Sequence, residues 1–394
     1  YNATVNMNWR QDKVNVFANY SFRRGQMDRF SIGDRVTLFN SGADSSFLSQ
    51  NSEGQSNMFF HNIRGGADYF IDSRTTLSFT GNLNFRSFDM DNNVLSNSYS
   101  NFNSNTLQNT RISLNSNDGL GHEYSLNFKR TYDTPGKEWT ADAFFSRNTN
   151  NNLNNINQQE IFNTVPTTAL ERAETDGWMN TFTFQTDYVT PFGNGGRIET
   201  GIKAQIRRSD ADYVYKIFNS LGSTWDFDAN RSNHFVYNEE IYSAYGIYSN
   251  TFANGKFSYQ LGLRVEDQHS KSDQRTTNEV ADVNRLNLFP SAHIRWEPNP
   301  INSLQLSYSR RVNRPSVMVL NPFLNTSDNF NWSKGNPYLE PEFTSSIDLS
   351  HNLNFPRTKI TTSVYYRDTR NGFSRRMIVI DTVATQPTLT TFIN

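Results

Sequence analysis

The sequence has no cysteine among its 394 residues, which excludes disulfide bonds, thiolate metal sites and cysteine nucleophiles. It also lacks any apolar run near the roughly 18 residues that a transmembrane helix requires, and its mean hydropathy is −0.70. Neither sign of charge is in excess, because 37 Lys and Arg accompany 38 Asp and Glu. This balance gives no reason to expect a general electrostatic attraction to nucleic acid or to an anionic membrane surface.

Aromatic residues, by contrast, are plentiful. They make up 14% of the chain, with 31 Phe and 18 Tyr. Disordered proteins are poor in such residues, so the low hydropathy does not indicate disorder. We therefore expect a folded protein that places many rings in an apolar or half-wet environment.

The dominant pattern alternates apolar and polar residues. Five runs show it most clearly, at residues 14–23, 77–86, 139–146, 198–207 and 257–266. Side chains on a β-strand point alternately to its two faces, so each run predicts a strand with one apolar face and one wet face. A helix does not produce this period.

Short turns and long polar connections alternate between these strands. Turn-forming residues predict hairpins at 11–12, 72–74, 133–137, 192–196, 253–255, 297–302 and 356–359. Long polar connections are predicted at 24–56, 88–119, 148–177, 209–237, 267–284 and 313–342. Strict alternation places every long connection at the same end of the sheet.

This organisation favours an all-β fold, a transmembrane antiparallel up-and-down β-barrel of the outer-membrane type with about 14 strands. Sandwiches and propellers use shorter strands with closer turns, whereas runs of 10 or more residues match strands that cross a bilayer at a tilt. A wet lumen also explains the low hydropathy, because alternate residues of each spanning strand are polar. The sequence predicts one barrel domain over 1–394, in the outer membrane of a Gram-negative bacterium and in contact with its lipid.

The search for catalytic and metal-binding patterns gives no site. Six histidines are scattered along the chain without metal-ligand spacing, and there is no phosphate-binding glycine loop and no nucleophile elbow. His122 and Glu123 are adjacent, but successive strand residues face opposite sides. We therefore predict no enzyme, no metal and no cofactor. A hydrolase whose Ser, His and Asp come from separate strands remains an alternative.

The segment 288–343 carries a family resemblance. LFPSAHIRW begins at Leu288, SLQLSYSRRVNRPSVMVLNPF at Ser303 and KGNPYLEPEF at Lys334. Together with GLRVED at 262–267 and IYSAYGIYSN at 241–250, these motifs closely resemble the C-terminal half of TonB-dependent outer-membrane receptors of the Bacteroidetes outer membrane protein beta-barrel type.

The resemblance implies more than the periodicity does. In that family a 22-strand barrel encloses an N-terminal plug, and the TonB complex supplies energy from the inner membrane. This sequence contains no recognisable plug, TonB box or closing strands. The expectation is therefore that the chain is an incomplete part of such a barrel, with TonB, surface lipoproteins and other outer-membrane subunits as implied partners.

The family motif contains the residues singled out as a site. Its arginines can bond loop carbonyls or carboxylates, its prolines end strand pairing, and Gly335-Asn336 supplies a tight turn. We predict a structural role in ordering the barrel rim over direct ligand contact. The residues are Arg310, Arg311, Arg314, Pro315, Asn321, Pro322, Gly335, Asn336, Pro337, Pro341 and Glu342.

The expected function is TonB-dependent uptake of a scarce nutrient, whose class (metal chelate, glycan or peptide) the sequence leaves open. One rival is an accessory barrel that no longer transports and serves as a scaffold in a surface, secretion or assembly complex. A passive diffusion channel is another.

Overall fold

The computed structural model describes residues 1–39, 44–100, 106–380 and 387–394. Within these residues no helix is long and apolar enough to cross a bilayer. The structure contains one four-residue helix, α1 (Val317–Leu320). The strands are β1 (Asn2–Gln11), β2 (Val14–Phe39), β3 (Asp44–Asp72), β4 (Thr75–Ser100), β5 (Thr106–Thr131), β6 (Glu138–Phe162), β7 (Val165–Phe192), β8 (Gly196–Asn219), β9 (Thr224–Phe227), β10 (Asn233–Phe252), β11 (Phe257–Gln274), β12 (Glu279–Asn299), β13 (Asn302–Asn313), β14 (Leu324–Asn325), β15 (Asn331–Lys334), β16 (Glu342–Asn354), β17 (Lys359–Arg370), β18 (Ser374–Val379) and β19 (Thr388–Ile393).

The strands form one long meander, the wall, and one small sheet. The wall pairs antiparallel neighbours in the order β1 to β8, then β10 to β13, β16 and β17, with β9 attached to β8. This 15-stranded sheet confirms the predicted up-and-down topology and its approximate strand number. Tight turns join consecutive wall strands at the predicted hairpins, for example at Asp12 and at Gly193 to Gly195. Two further tight turns, at Asn163-Thr164 and at residues 275–278, were not predicted and lie at the opposite end of the wall.

The first three long polar connections were predicted wrongly as loops, whereas the predicted connection 313–342 does leave the wall and contains α1, β14 and β15. Most of residues 24–56, 88–119 and 148–177 continue the strands, so that β3 alone has 29 residues. Residues 40–43 and 101–105 of these segments lie outside the described residues. Asn, Ser and Gln side chains bond across the ladder here, as Ser52 does to Asn92 at 2.9 Å. Period-two pairing needs no apolar residues, and polarity alone was therefore a poor indicator of a loop.

The two faces of the wall differ sharply. Directly opposite residues of paired strands share a face, so register assigns every side chain to one face. One face, the outer face, exposes large apolar side chains, including Ile202 at 54% and Leu261 at 51% exposure. The opposite, inner face carries buried polar groups such as Glu239 and Gln268. Apolar residues face outward and polar residues inward, as an outer-membrane barrel requires.

The small sheet packs on the inner face. This inner sheet has the order β14, β15, β19, β18, with β15 and β19 parallel. Its Phe330 forms a buried cluster with Leu48 of β3 and Leu107 of β5. The neighbouring α1 connection forms a second cluster with Phe235 and Tyr237 of β10. Because strands so far apart in the wall reach the same small unit, the wall must curve around it.

Candidate functional site

The candidate site is the polar inner face of the wall where the inner sheet packs against it, a region that we call the chamber, at the end opposite the predicted hairpins. Arg35 of β2 links the two, donating to the Asn331 amide oxygen at 3.0 Å, the Thr388 hydroxyl at 2.8 Å and the Phe330 carbonyl at 3.1 Å. Burial lowers the pKa of this guanidinium from its ordinary value, against the opposing effect of Asp328. One arginine thus ties the first long hairpin to the last strand.

A second link is a polar row on β8, β10 and β11. Glu239, 3% exposed, accepts from Arg207 at 3.1 Å and from the Gln268 amide at 3.2 Å. Arg314 in turn donates to Gln268 at 3.0 Å and pairs with Glu266. The alternating cations, carboxylates and amide satisfy one another on the inner face, as buried charges require.

A third cluster holds the β9 segment against the wall. The Tyr215 hydroxyl donates to Glu171 at 2.6 Å, and Arg231 donates to Glu171 at 2.9 Å and to Asp228 at 2.7 Å. The Arg231 guanidinium also stacks over the Tyr215 ring at 4.3 Å. Burial, together with the hydrogen bond to Glu171, raises the pKa of Tyr215 well above its usual range. Although burial opposes ionisation of Asp228, Arg231 holds the pKa of that carboxyl below its ordinary value.

The structure separates the predicted arginines. Arg314 enters the polar row, whereas the Arg310 guanidinium lies 4.8 Å from the centre of the Phe343 ring. Arg310 and Arg311 both border a cavity of about 390 Å³ on β10 to β13, and Arg314 is not part of its lining. Pro315 directly precedes the connection that contains α1. The three arginines therefore do not form one anion-binding group.

The second half of the motif forms an interlocked loop. The Gly335 amide donates to the Asn321 carbonyl at 2.9 Å, and the Asn336 amide donates to the Val319 carbonyl at 2.8 Å. A Cβ on Gly335 would come within 2.3 Å of the Asn321 carbonyl oxygen, so the position requires glycine. Pro322 follows Asn321 directly, Pro337 follows Asn336, and Pro341 ends the connection before β16.

Glu342 closes the loop at its other end. Its carboxylate accepts from the Asn313 amide at 2.7 Å and from the Phe373 backbone amide at 2.9 Å. Asn336 reaches the Phe392 carbonyl at 3.1 Å. These contacts join the motif to the wall and to the inner sheet. The structural role of the motif stays a prediction. The contacts of Glu342 and Asn336 are the bonds through which the motif would order the rim.

Sequence reasoning missed several groups of the chamber. Arg35, Glu171, Glu239 and Glu266 were not singled out, because their partners lie on other strands whose register the sequence does not reveal. Of these four, alternation placed only Glu266 on a polar face, in the run 257–266. Within the described residues no three His, Asp or Glu side chains form a group that could hold a metal ion.

Comparison with known proteins agrees with this architecture. The model of the outer membrane protein beta-barrel family matches residues 130–394, more than half of the chain. No curated protein sequence matches.

Solved structures with similar folds are outer-membrane proteins. The siderophore receptor PirA from Pseudomonas aeruginosa has 12% identity and a TM-score of 0.51, with 100% of this chain and 60% of that one covered. The siderophore receptor PiuA from Acinetobacter baumannii has 11% identity and a TM-score of 0.51, with 98% and 58% covered. The copper transporter OprC has 12% identity and a TM-score of 0.52, with 98% and 57% covered.

The chain thus spans less than two thirds of these structures, and the likeness concerns the fold. Two of these proteins are siderophore receptors and the third is a copper transporter. The family match, the sorted faces and the meander place the protein in the Gram-negative outer membrane. The chain belongs to the outer membrane protein beta-barrel family.

Proposed function

We propose that this protein is the barrel part of an outer-membrane receptor that takes up a scarce nutrient with energy from the TonB complex. The observation that carries the proposal is the chamber, whose wall is polar and whose mouth holds an inner sheet anchored to distant strands. A passive pore needs no such ordered unit inside its mouth. The names of the similar structures support the receptor class, and the nutrient class stays open between metal chelates, glycans and peptides.

The test uses cells that carry or lack the complete gene. Competitive growth is measured on limiting metal chelate, glycan or peptide sources, with TonB present or depleted. Under the proposal one source gives the carrying cells an advantage that disappears on TonB depletion. An advantage that persists without TonB, together with ion conductance in planar bilayers, would identify a passive channel instead.

One observation favours a second candidate, an accessory barrel that binds a partner protein. Beyond the tight-turn half of β2, the outer face exposes Phe30, Ile32, Val36 and Leu38, each at 56% or more. These side chains lie past the roughly 9–11 residues that cross hydrocarbon, where a partner can cover them. Loss of a co-purified surface protein on substituting Ile32 and Leu38 with Ser, without any TonB-dependent growth effect, would favour this role.

A further inference from the structure

An unexplained cavity lies on the outer face of the wall. It has a volume of about 540 Å³ and spans β3 to β6, which is within the roughly 300–1,000 Å³ range of ligand pockets. The nutrient chamber does not include it, because register places all of its lining residues except Arg86 and Gly119 on the opposite face. Its lining includes Phe59, His61, Phe85, Asp118, Leu120 and Thr149.

Four basic side chains flank this outer-face cavity. The Arg24 guanidinium stacks 5.0 Å from the centre of the Phe59 ring. His61 lines the cavity itself, and its Nδ1 is 2.9 Å from the Tyr20 hydroxyl. His122 lies next along the same face of β5 after Leu120, and Arg147 lies next along β6 after Thr149. His122 and Arg147 are also direct cross-strand partners.

These basic groups have no carboxylate partner among the described residues. Arg147 donates to the Asn180 amide oxygen at 3.3 Å and stacks 4.9 Å from the centre of the Trp178 ring. The Nδ1 atom of His122 is buried without any hydrogen-bond partner in the described part of the chain. A guanidinium group beside a ring can direct its remaining N–H donors to another acceptor, and its planar fork matches the oxygens of a phosphate.

The cavity stands where the membrane ends. His61 lies 11 residues from the end of β3 at Asp72. His122 and Arg147 each lie 9 residues from the strand ends at the turn between β5 and β6, so all three stand at the far end of the roughly 9–11 residues that cross hydrocarbon. On the tight-turn side of them the outer face exposes apolar side chains, with Ile63 at 46% and Tyr124 at 40%. The site therefore meets the headgroups of the outer leaflet.

We propose that the outer-face cavity binds the phosphorylated headgroup of an outer-leaflet glycolipid. Arg24, Arg147 and the two histidines would contact the phosphate, and the rings of Phe59 and Phe85 would pack against the sugar. The acyl chains would lie on the apolar surface below. A free anion would bind only the basic groups and would leave the adjoining lipid-facing surface without a contact. A lipid contacts both the basic groups and that apolar surface, and we therefore assign the cavity to a lipid and not to a free anion or a protein partner.

The experiment measures lipid binding to the purified chain in detergent by native mass spectrometry. The probes are monophosphoryl lipid A, the same lipid after removal of its phosphate, and inorganic phosphate. We expect the intact lipid to bind at least about 10-fold more tightly than the dephosphorylated lipid, because charge-assisted bonds to phosphate are lost. Equal binding of the two lipids would overturn the proposal, and so would full displacement of the lipid by inorganic phosphate at equimolar concentration.

Single substitutions test whether the lipid binds at the outer-face cavity. R24Q and R147Q should each weaken binding of the intact lipid by about 10-fold, whereas R147K should keep part of it and D118N should tighten it. The control is R64Q, which removes the same charge from the inner face of β3. Each variant is first checked for folding by circular dichroism. If R64Q weakens binding as much as R147Q does, the outer-face cavity is not the site.

Discussion

The two faces of the wall use arginine in opposite ways. On the inner face Arg207, Arg231 and Arg314 each bond a carboxylate that is less than 10% exposed. On the outer face Arg24 and Arg147 instead lie over aromatic rings and have no carboxylate partner among the described residues. The three inner-face arginines hold the structure together through ion pairs, whereas Arg24 and Arg147 leave donor groups available to the surroundings. Net charge, which is nearly zero, conceals this division.

The largest expected effect contrasts two carboxylates on β7. Glu171 faces inward and accepts hydrogen bonds from Tyr215 and Arg231, so Glu171→Gln should destabilise the β9 segment by about 3–5 kcal/mol. The substitution removes the charge from the acceptor of two charge-assisted hydrogen bonds, each worth about 1.5–3 kcal/mol, and leaves Asp228 as the remaining carboxylate beside Arg231. Amide hydrogen exchange over residues 219–232 measures this local stability.

The matched control is Glu174→Gln on the same strand. Glu174 pairs with Lys216 at 2.8 Å on the outer face, where the two side chains are 38% and 29% exposed. Such exposed pairs contribute about 0–1 kcal/mol. Equal exchange rates in the two variants would show that the inner-face carboxylate stabilises this segment no more than the outer-face carboxylate does.

A smaller effect tests which face meets lipid. Leu261→Arg should lower the free energy of unfolding in lipid vesicles by about 2–4 kcal/mol, because it places a cation in hydrocarbon. Gln260→Arg, one residue away on the inner face, should change it by less than about 0.5 kcal/mol. Urea titration followed by tryptophan fluorescence measures both values, and a larger loss for Gln260→Arg would invert the assigned faces.

The next effect probes the interlocked loop. Gly335→Ala brings a methyl group against two backbone carbonyl oxygens, those of Asn321 and Val319, and should cost about 1–3 kcal/mol. Proteolysis within residues 317–341 should accelerate accordingly. Gly33→Ala on β2 is the control, because nothing lies within 4 Å of its added methyl group. Cleavage at wild-type rates in Gly335→Ala would show that the loop has room to shift.

The smallest effect is a pH dependence of the inner cluster. The bond from Arg231 holds the pKa of Asp228 below its unfolded value, so its contribution is present above about pH 4 and is lost as pH falls through the folded pKa. Exchange over residues 228–232, corrected for the intrinsic rate, should rise below about pH 4. In Asp228→Asn this rise should be absent.

The sequence was sufficient for the wall because the wall obeys a local rule. Alternation in runs such as 77–86 and 198–207 identified the strands, and turn residues such as Asp12 and Gly193 identified the hairpins and hence the topology. The ends of the strands were harder to predict from the sequence. The Asn-rich stretch 148–159 reads as a loop by composition, but it pairs on both sides as part of β6.

The contacts within the chamber could not be predicted, because they depend on strand register and on the curvature of the wall. The pairing of Glu239 with Arg207 follows from register, and the contact of Arg35 with Thr388 follows from curvature. Neither can be read from periodicity. The resemblance did direct attention to 303–343, where Arg314, Gly335 and Glu342 make specific contacts, but it did not reveal that the connection contributes β14 and β15 to an inner sheet.

The parallel pairing of β15 with β19 has a consequence for how the molecule assembles. Strands β16, β17 and β18 intervene between the two partners, and Arg35 meets Thr388 across 353 positions of chain. Contacts of such high sequence separation form slowly, because the long chain segment between the partners must lose conformational entropy before the stabilising contact can form. We therefore expect the neighbouring hairpins of the meander to pair first and the inner sheet to form later, when β19 reaches β15 and Arg35.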